Sequence, residues 1–524
     1  MEKKTLLAVV LSILVIMTFQ MWMGKKHPQI APQGAPAARV VEPLVAENTD
    51  VKEAIIAPED EEELTYETDR FLIIFSNQGG AIKRIGLKQF ADTSTQEPHL
   101  LAEIENPRYY TGAFKLLDYG GLDTAVYTVN QYDNTITYTY KTSEIEVNKR
   151  YTIHNYNDYI ELDVIINNTS GKTMRSASSI IGGSHIFIAD KMARRYANAS
   201  AKVDGKLVRD RRNSIRPGGV SWVALNSKYF TIILRPYQLG VKAFTNLVDK
   251  TQFVTGLETA QLTIAPASRI TQQYMMYIGP LDTNRLKALE VGLEEAVNYG
   301  IFDGISKLLL KTLRFIQKIT RNWGVAIICL TMLVNLMLLP LTRKSYKSMK
   351  AMQDIQPEIE KLRNAHKNNP QKLNKELMEL YKTYKVNPLG GCLPMLLQMP
   401  IFISLYHALV RSIELRGANF LWIKDLSKPD AVGLPVSLPI IGNSINILPI
   451  LMMAAMIVQQ KISTPHKSGE MSEQQKQQQN MMLMMPVIFV IIFYSLPSGL
   501  VMYWLVNTVL MAAHQYHIKR APSR

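Results

Sequence analysis

Cysteine is nearly absent from this 524-residue chain: Cys329 and Cys392 are the two it has, each in or beside an apolar run. Two isolated thiols make neither a disulfide framework nor a ligand cluster. Among the nine histidines, His99, His154 and His185 of the first half are scattered without metal-ligand spacing. Gly-rich phosphate loops and the nucleophile elbow are missing too. A further absence is of acid, for no Asp or Glu falls inside the long apolar runs of the second half. Ion-coupled transporters and proton relays typically need an ionisable group there, so that class loses ground.

What is present is unevenly spread. Hydrophobic residues are 47% of the chain and the net charge is +15. Positive charge suits nucleic acid or an anionic membrane surface, and the apolar runs favour the membrane. Residues 1–23 begin with a short basic stretch and continue apolar to Met23, too long for a signal core, so they read as an anchor. Residues 24–63 are rich in Pro, Ala and acidic residues and read as a disordered linker. The pattern then turns to period two, as in Thr135–Tyr140 and Tyr159–Val164, broken by Asn, Asp and Gly. That predicts a large antiparallel β-sandwich within 64–300, closed by a helix over Leu286–Asn298. A scaffold or docking domain is its plainer reading, ahead of a sugar-processing enzyme.

Over 301–321, Lys307, Lys311, Arg314 and Lys318 repeat on one helix face, with Ile305, Leu308, Leu309, Leu313, Ile316 and Ile319 opposite. A basic amphipathic helix of this kind lies in the headgroup plane against anionic lipids. Residues 322–516 hold five apolar segments, at Trp323–Leu341, Pro388–Val410, Ile445–Ile462, Met481–Leu496 and Pro497–Ala513. Between the first two, residues 342–387 carry eleven Lys or Arg against five Asp or Glu. Two apolar stripes flank Asn368-Asn369-Pro370 there, which predicts a cytoplasmic helical hairpin. Counting spans from it puts both termini in the cytoplasm, including the basic tail 517–524, and the β domain outside. Thr331, Asn335, Gln398, Ser404, His407, Ser495 and Asn507 are the mild polarity inside the spans. Each alone suits a helix–helix hydrogen bond, and together they could line a wet recess. The Met- and Phe-rich segments are either lipid-facing surface or a slide for a client helix.

Longer motifs sharpen this. Lys385–Pro394, Gln398–Phe402, Ile413–Arg416 and Pro497–Val501, with Phe75–Gly80, Trp222–Phe230 and Tyr277–Pro280 in the β domain, resemble the YidC family of bacterial membrane protein insertases in its Gram-negative form. The resemblance covers nearly the whole chain apart from the linker. It implies a multi-domain membrane protein: a periplasmic antiparallel β-sandwich, like a sugar-mutarotase fold, plus an α-helical transmembrane bundle with a cytoplasmic helical hairpin. It implies no enzyme, no cofactor and a location in the inner membrane. On these positions the family's hydrophilic groove would comprise Asn335, Thr331, Gln398, Tyr503 and Asn507. Its client slide would comprise Met399, Pro400, Phe402, Met484, Met485, Phe489 and Phe493. Implied partners are nascent membrane proteins, the Sec translocon, and the ribosome with targeting factors, without direct specific binding of nucleic acid. The family usually carries a positive charge where this chain has Asn335, so a fixed groove cation does not carry over. The alternative is a small-solute transporter or channel with a periplasmic sugar-binding domain.

Overall fold

The computed structural model describes residues 61–91, 97–154, 156–188, 191–248, 252–366, 369–384, 386, 393–438, 442–463 and 484–520. The expected anchor, residues 24–60 of the expected linker and most of the Lys385–Pro394 motif lie outside the described residues.

The β domain follows its alternation. Every second residue of strand Tyr159–Asn168 is buried, and its neighbour Ile145–Ile153 lies antiparallel with Arg150 opposite Asp163, 2.5 Å from its carboxylate. These strands belong to a 13-stranded sheet, and a 4-stranded meander begins at Glu63–Glu67. Phe71, Phe75, Ile82 and Ile85 of the meander share one core with Ile136, Tyr138, Tyr151 and Leu162 of the long sheet. Two layers over a common core make the sandwich. The meander turns at Gly79 and Gly80, both at positive φ (63° and 50°), where an added Cβ would lie 2.4 Å from Asp123 O and 2.7 Å from Tyr138 Cβ. Only glycine fits that turn. The fold starts within the stretch read as linker, since Glu61 accepts hydrogen bonds from Ser76 Oγ (2.7 Å) and Tyr110 OH (2.9 Å).

The helices are α1 (Asp303–Thr320), α2 (Trp323–Asp354), α3 (Gln356–Ala365), α4 (Pro370–Thr383), α5 (Leu393–Val410), α6 (Ile447–Ser463), α7 (Met484–Phe493) and α8 (Ser498–Arg520). Among the described residues, α2 alone passes as a full span by length and composition, while α6, α7 and Gln398–Val410 are shorter apolar helices. Three expectations shift. The helix foreseen over Leu286–Asn298 is a short one at Thr283–Lys287 and a 3-10 turn at Leu293–Ala296, separated by Gly292 at φ 77°. The first span does not stop at Leu341, because Thr342–Asp354 is free of glycine and rich in helix formers and so prolongs α2. The hairpin is therefore α3 and α4, closed by Ile355, Ile359 and Val386 with Met352, Leu377 and Leu380 against them. Tyr384 leaves that stripe and donates to Glu358 at 2.7 Å. A second core joins the domains: Trp222, Ile233 and Tyr277 of the sandwich bury with Leu309 and Leu313 of α1, Ile327 of α2, Leu409 of α5 and Leu500 of α8.

Lys149 is fully buried in the sandwich and donates to Gly79 O and Gly112 O, both at 2.7 Å. Burial pushes its pKa down to about 7, with Asp123 opposing. An unfolded lysine keeps its proton to about pH 10.4, so between pH 7 and 10 the unfolded chain binds more protons. The lysine's share of stability is complete at the top of that window and is lost as pH falls towards 7. Thermal unfolding of the full chain in detergent should rise less steeply from pH 7 to 9 in Lys149→Met than in the wild type. At pH 9 its midpoint should also be lower, since two buried carbonyls lose their donor at about 1–3 kcal/mol each. An unchanged pH slope would show that another group titrates.

Candidate functional site

The site is built on α2, α5 and α8. Asn322 begins α2 by accepting the amide of Val325 at 3.1 Å, and no charged residue follows until Arg343. Thr331 is fully buried and returns its hydroxyl to Ile327 O at 2.7 Å. One turn on, Asn335 Nδ2 donates to Thr331 O (2.8 Å) and across the helix interface to Asn507 Oδ1 (3.0 Å). One turn before Asn507, Tyr503 accepts from Gln398 Nε2 of α5 at 2.6 Å. All five residues expected in a groove thus meet along one face of α8, whose four-residue spacing sets Tyr503 against α5 and Asn507 against α2. Two further members escaped sequence reading. Gln515 Nε2 donates to Tyr346 OH at 2.7 Å, continuing the line eight residues beyond Asn507 towards the basic end of α2. The repeat 503, 507, 511, 515 on α8 was the available signal, hidden because Gln515 lies past Ala513, where the expected apolar segment ends.

The other end of this line is shut by close packing. An added Cβ on Gly324 would lie 2.1 Å from the Phe420 ring, and one on Gly499 3.2 Å from both Ile327 and Leu426 O. Gly499 N donates to Leu426 O (3.0 Å) and Ser498 Oγ to Asp425 O (3.2 Å), so the loop after α5 lies on the first turn of α8. This accounts for the Pro-Ser-Gly stretch: the proline starts a helix whose second residue must pass under a loop.

The residues expected to form a slide separate into two groups. Met399, Met484 and Met485 are exposed, as are Val487, Ile491 and Ile492 of α7. Phe402, Phe489 and Phe493 instead pack on one another and on Trp504, with Phe402 edge-on to that indole at 4.7 Å and Phe489 stacked on Phe493 at 5.6 Å. They hold α5, α7 and α8 together, and Phe493 is buried. Pro400 sits half-buried within α5, its carbonyl accepting from Ser404 Oγ at 2.6 Å.

The basic stripe of α1 also divides. Lys311 and Lys318 are exposed along a face that bares Leu308, Phe315 and Ile319, each more than 60% exposed. Lys307 turns to Asp303 at 2.8 Å. Arg314 leaves the stripe: it is largely buried and bridges Asp282 at the end of the sandwich and Glu414 after α5 (2.5 Å to the latter). Burial works against its charge and the two carboxylates outweigh it, raising its pKa above the usual guanidinium value. Asp282 uses its other oxygen to cap Thr283–Lys287 through Asn284 N and Arg285 N. Among the described residues no His, Cys, Asp and Glu group could hold a metal ion.

A β-sandwich seated on apolar helices, with a line of amides, hydroxyls and phenols threading those helices and shut at the sandwich end, defines a two-part protein with an uncharged polar site inside its helical part. Residues 63–312 match the family model described as the YidC periplasmic domain, and residues 315–524 that of the 60Kd inner membrane protein. Membrane protein insertase YidC of Geobacter sulfurreducens is 33% identical over 550 residues, covering 100% of this chain and 99% of that one. The insertase of the same name from Citrifermentans bemidjiense is 34% identical over 481 residues, covering 88% and 86%. A crystal structure of active YidC insertase with its first transmembrane domain resolved is 20% identical with a TM-score of 0.38, covering 88% of this chain and 93% of that one. The chain belongs to the YidC family of membrane protein insertases.

Arg314→Ala leaves two shielded carboxylates without their cation and should destabilise the contact between sandwich and helices by about 3 kcal/mol. Differential scanning calorimetry of the purified chain should show a lower midpoint, partly restored in Arg314→Lys, and protease should cut sooner near residue 300. A wild-type midpoint in Arg314→Ala would show that the apolar core and the remaining hydrogen bonds, such as Tyr196 to Tyr406, hold the two parts without it.

Proposed function

We propose that this protein inserts newly made membrane proteins into the inner membrane and assists their folding, working alone or with the Sec translocon. The observation that carries this is the Asn335–Asn507 and Gln398–Tyr503 pairing, polar groups held in an otherwise apolar bundle. Leaving a polar backbone group unsatisfied in hydrocarbon costs several kcal/mol. Here the NH2 groups of Asn335 and Gln398 donate to Thr331 O, Asn507 Oδ1 and Tyr503 OH, and no hydrogen bond to Asn335 Oδ1 or Gln398 Oε1 is present among the described residues. Those oxygens can accept from a passing client backbone. A client exchanges hydrogen bonds on the way in and crosses a shorter apolar path. Its own apolar helix then partitions into lipid, which drives the release. No groove cation is required.

In this reading Met399, Met484 and Met485 form the surface a client helix leaves along, since flexible thioethers adapt to varied partners. Residues 1–23 are an additional span, which puts both termini in the cytoplasm and the sandwich in the periplasm. The cationic hairpin of α3 and α4 meets ribosome, targeting factors and emerging clients, and α1 lies in the headgroup plane with Lys311 and Lys318 towards anionic lipids.

Expression of the chain in a Gram-negative strain depleted of its own insertase should restore growth; normal expression without growth would overturn the reading. Asn335→Ala removes an interhelical hydrogen bond of about 0.6 kcal/mol and should slow insertion only a few-fold, while Asn335→Arg should be tolerated. Loss of insertion for every client in Asn335→Ala would refute shared polarity along the groove. Photocrosslinking probes at Met399, Met485 and Asn335 should all capture a stalled client.

A further inference from the structure

The insertase reading leaves one strongly cationic region unused. Between Arg194 and Arg216 the chain has eight Lys or Arg against two Asp, an excess of six in a molecule of net charge +15. Strands Asn198–Val203 and Lys206–Asp210 form a hairpin there, and the next strand begins at Ser214. Where these meet lies a recess of about 460 Å³ lined by Arg209, Arg211, Arg212 and Arg216 together with Asp210 and Asn198. Asp210 is already neutralised, its oxygens taken by Arg216 Nε (3.2 Å) and Nη2 (2.6 Å). Arg211 donates to the carbonyl of Arg195. Among the described residues, Arg209, Arg211 and Arg212 have no carboxylate partner within ion-pair distance. The charges facing Arg209 are Arg411, Arg211 and Asp303, and the Asp303 carboxylate is held by Lys307 at 2.8 Å. Uncompensated guanidinium groups gathered in this way repel one another and gain by taking up an anion.

The recess has a definite place in the molecule. Leu207 of the hairpin packs on the core shared by sandwich and helices. Tyr196 OH donates to Tyr406 OH in the last turns of α5 at 3.3 Å, and the Arg411 guanidinium lies 5.3 Å over the Tyr196 ring. Beside Asp303 in sequence, Ile301 just before α1 and Ile305 in its first turn are bare to the outside. Cations beside exposed apolar side chains, at the end of a membrane helix, match a phosphate with hydrocarbon attached better than they match an acidic polypeptide. A planar guanidinium fork is well suited to phosphate oxygens.

We propose that this arginine recess binds the phosphate of an anionic phospholipid in the outer leaflet, tying the edge of the sandwich to the membrane surface. The site is separate from the groove and the slide and takes no part in client binding, though it rests on the proposed position of the sandwich outside the membrane. Free phosphate offers the same chemistry without the hydrocarbon.

The full chain, reconstituted in nanodiscs of phosphatidylcholine with a photoreactive phosphatidylglycerol, provides the test. Peptides covering 194–216 should be labelled, and α1 should be labelled as well. In Arg209→Gln/Arg211→Gln/Arg212→Gln, three exposed changes, labelling of 194–216 should fall about tenfold or more while α1 stays labelled. Labelling of α1 but not of 194–216, or equal labelling in the variant, would overturn the lipid site while leaving the placement of the chain in the membrane intact. Loss of label at both places would overturn the placement itself. Inorganic phosphate at millimolar concentration should compete weakly; complete displacement would assign the recess to free phosphate instead. Recovery of 194–216 crosslinked to an acidic protein and to no lipid would likewise refute the proposal.

Discussion

Arg314 is the interaction on which the arrangement of the two halves turns. Its guanidinium joins Asp282, where the sandwich ends, to Glu414, where the loop after α5 begins, and Asp282 also caps the short helix that leads away from the sandwich. One cation thus sets α1 between a β domain and a helical bundle that are otherwise linked by chain, apolar contact and a few hydrogen bonds such as that of Tyr196 to Tyr406. Hydrophobic burial around it is non-directional. Trp222, Leu313 and Leu500 bury in the same core whichever way the parts slide by a few ångströms. The ion pairs choose one arrangement, and Arg411 adds to it by donating to Asn298 O at 2.5 Å.

The bundle obeys a second constraint, that polar groups among apolar helices need partners. Here the partners are other helices: α2 answers α8 through Asn335 and Asn507, and α5 answers α8 through Gln398 and Tyr503. Helix α8 is therefore the common wall of the polar line. Gly499 and Gly324 serve the same end by bringing the loop after α5 so close that the line is closed on the sandwich side. The polar line and its closure are two results of how near α8 lies to its neighbours.

Much of this was legible in the chain. Period-two alternation foretold the inward residues Ile160, Leu162 and Val164, because one face of each strand must meet a core. The apolar run of α2 and the stripes of the hairpin were readable for the same reason, that burial selects residue type at a regular period. The mild polarity of Thr331, Asn335, Gln398 and Asn507 stood out because the runs that hold them are otherwise almost wholly apolar. Arg314, by contrast, was read as one more member of a basic stripe. Helical spacing gives the direction of a side chain about its own axis and says nothing of two carboxylates 32 and 100 residues away in sequence. Phe402, Phe489 and Phe493 were placed on a slide by the family resemblance, and composition offers no check, since apolar residues facing lipid and apolar residues facing another helix look alike.

The chain by itself determined which segments become strand, amphipathic helix or apolar helix, together with the family to which it belongs, because those follow from local periodicity and contiguous motifs. Tertiary structure alone decided that Asn335 pairs with Asn507 and Gln398 with Tyr503, that the phenylalanines turn inward to Trp504, and that Arg314 bridges two parts of the molecule. Each of these depends on the distance between elements far apart in sequence, and that distance is set by packing the whole rather than by any one stretch of residues.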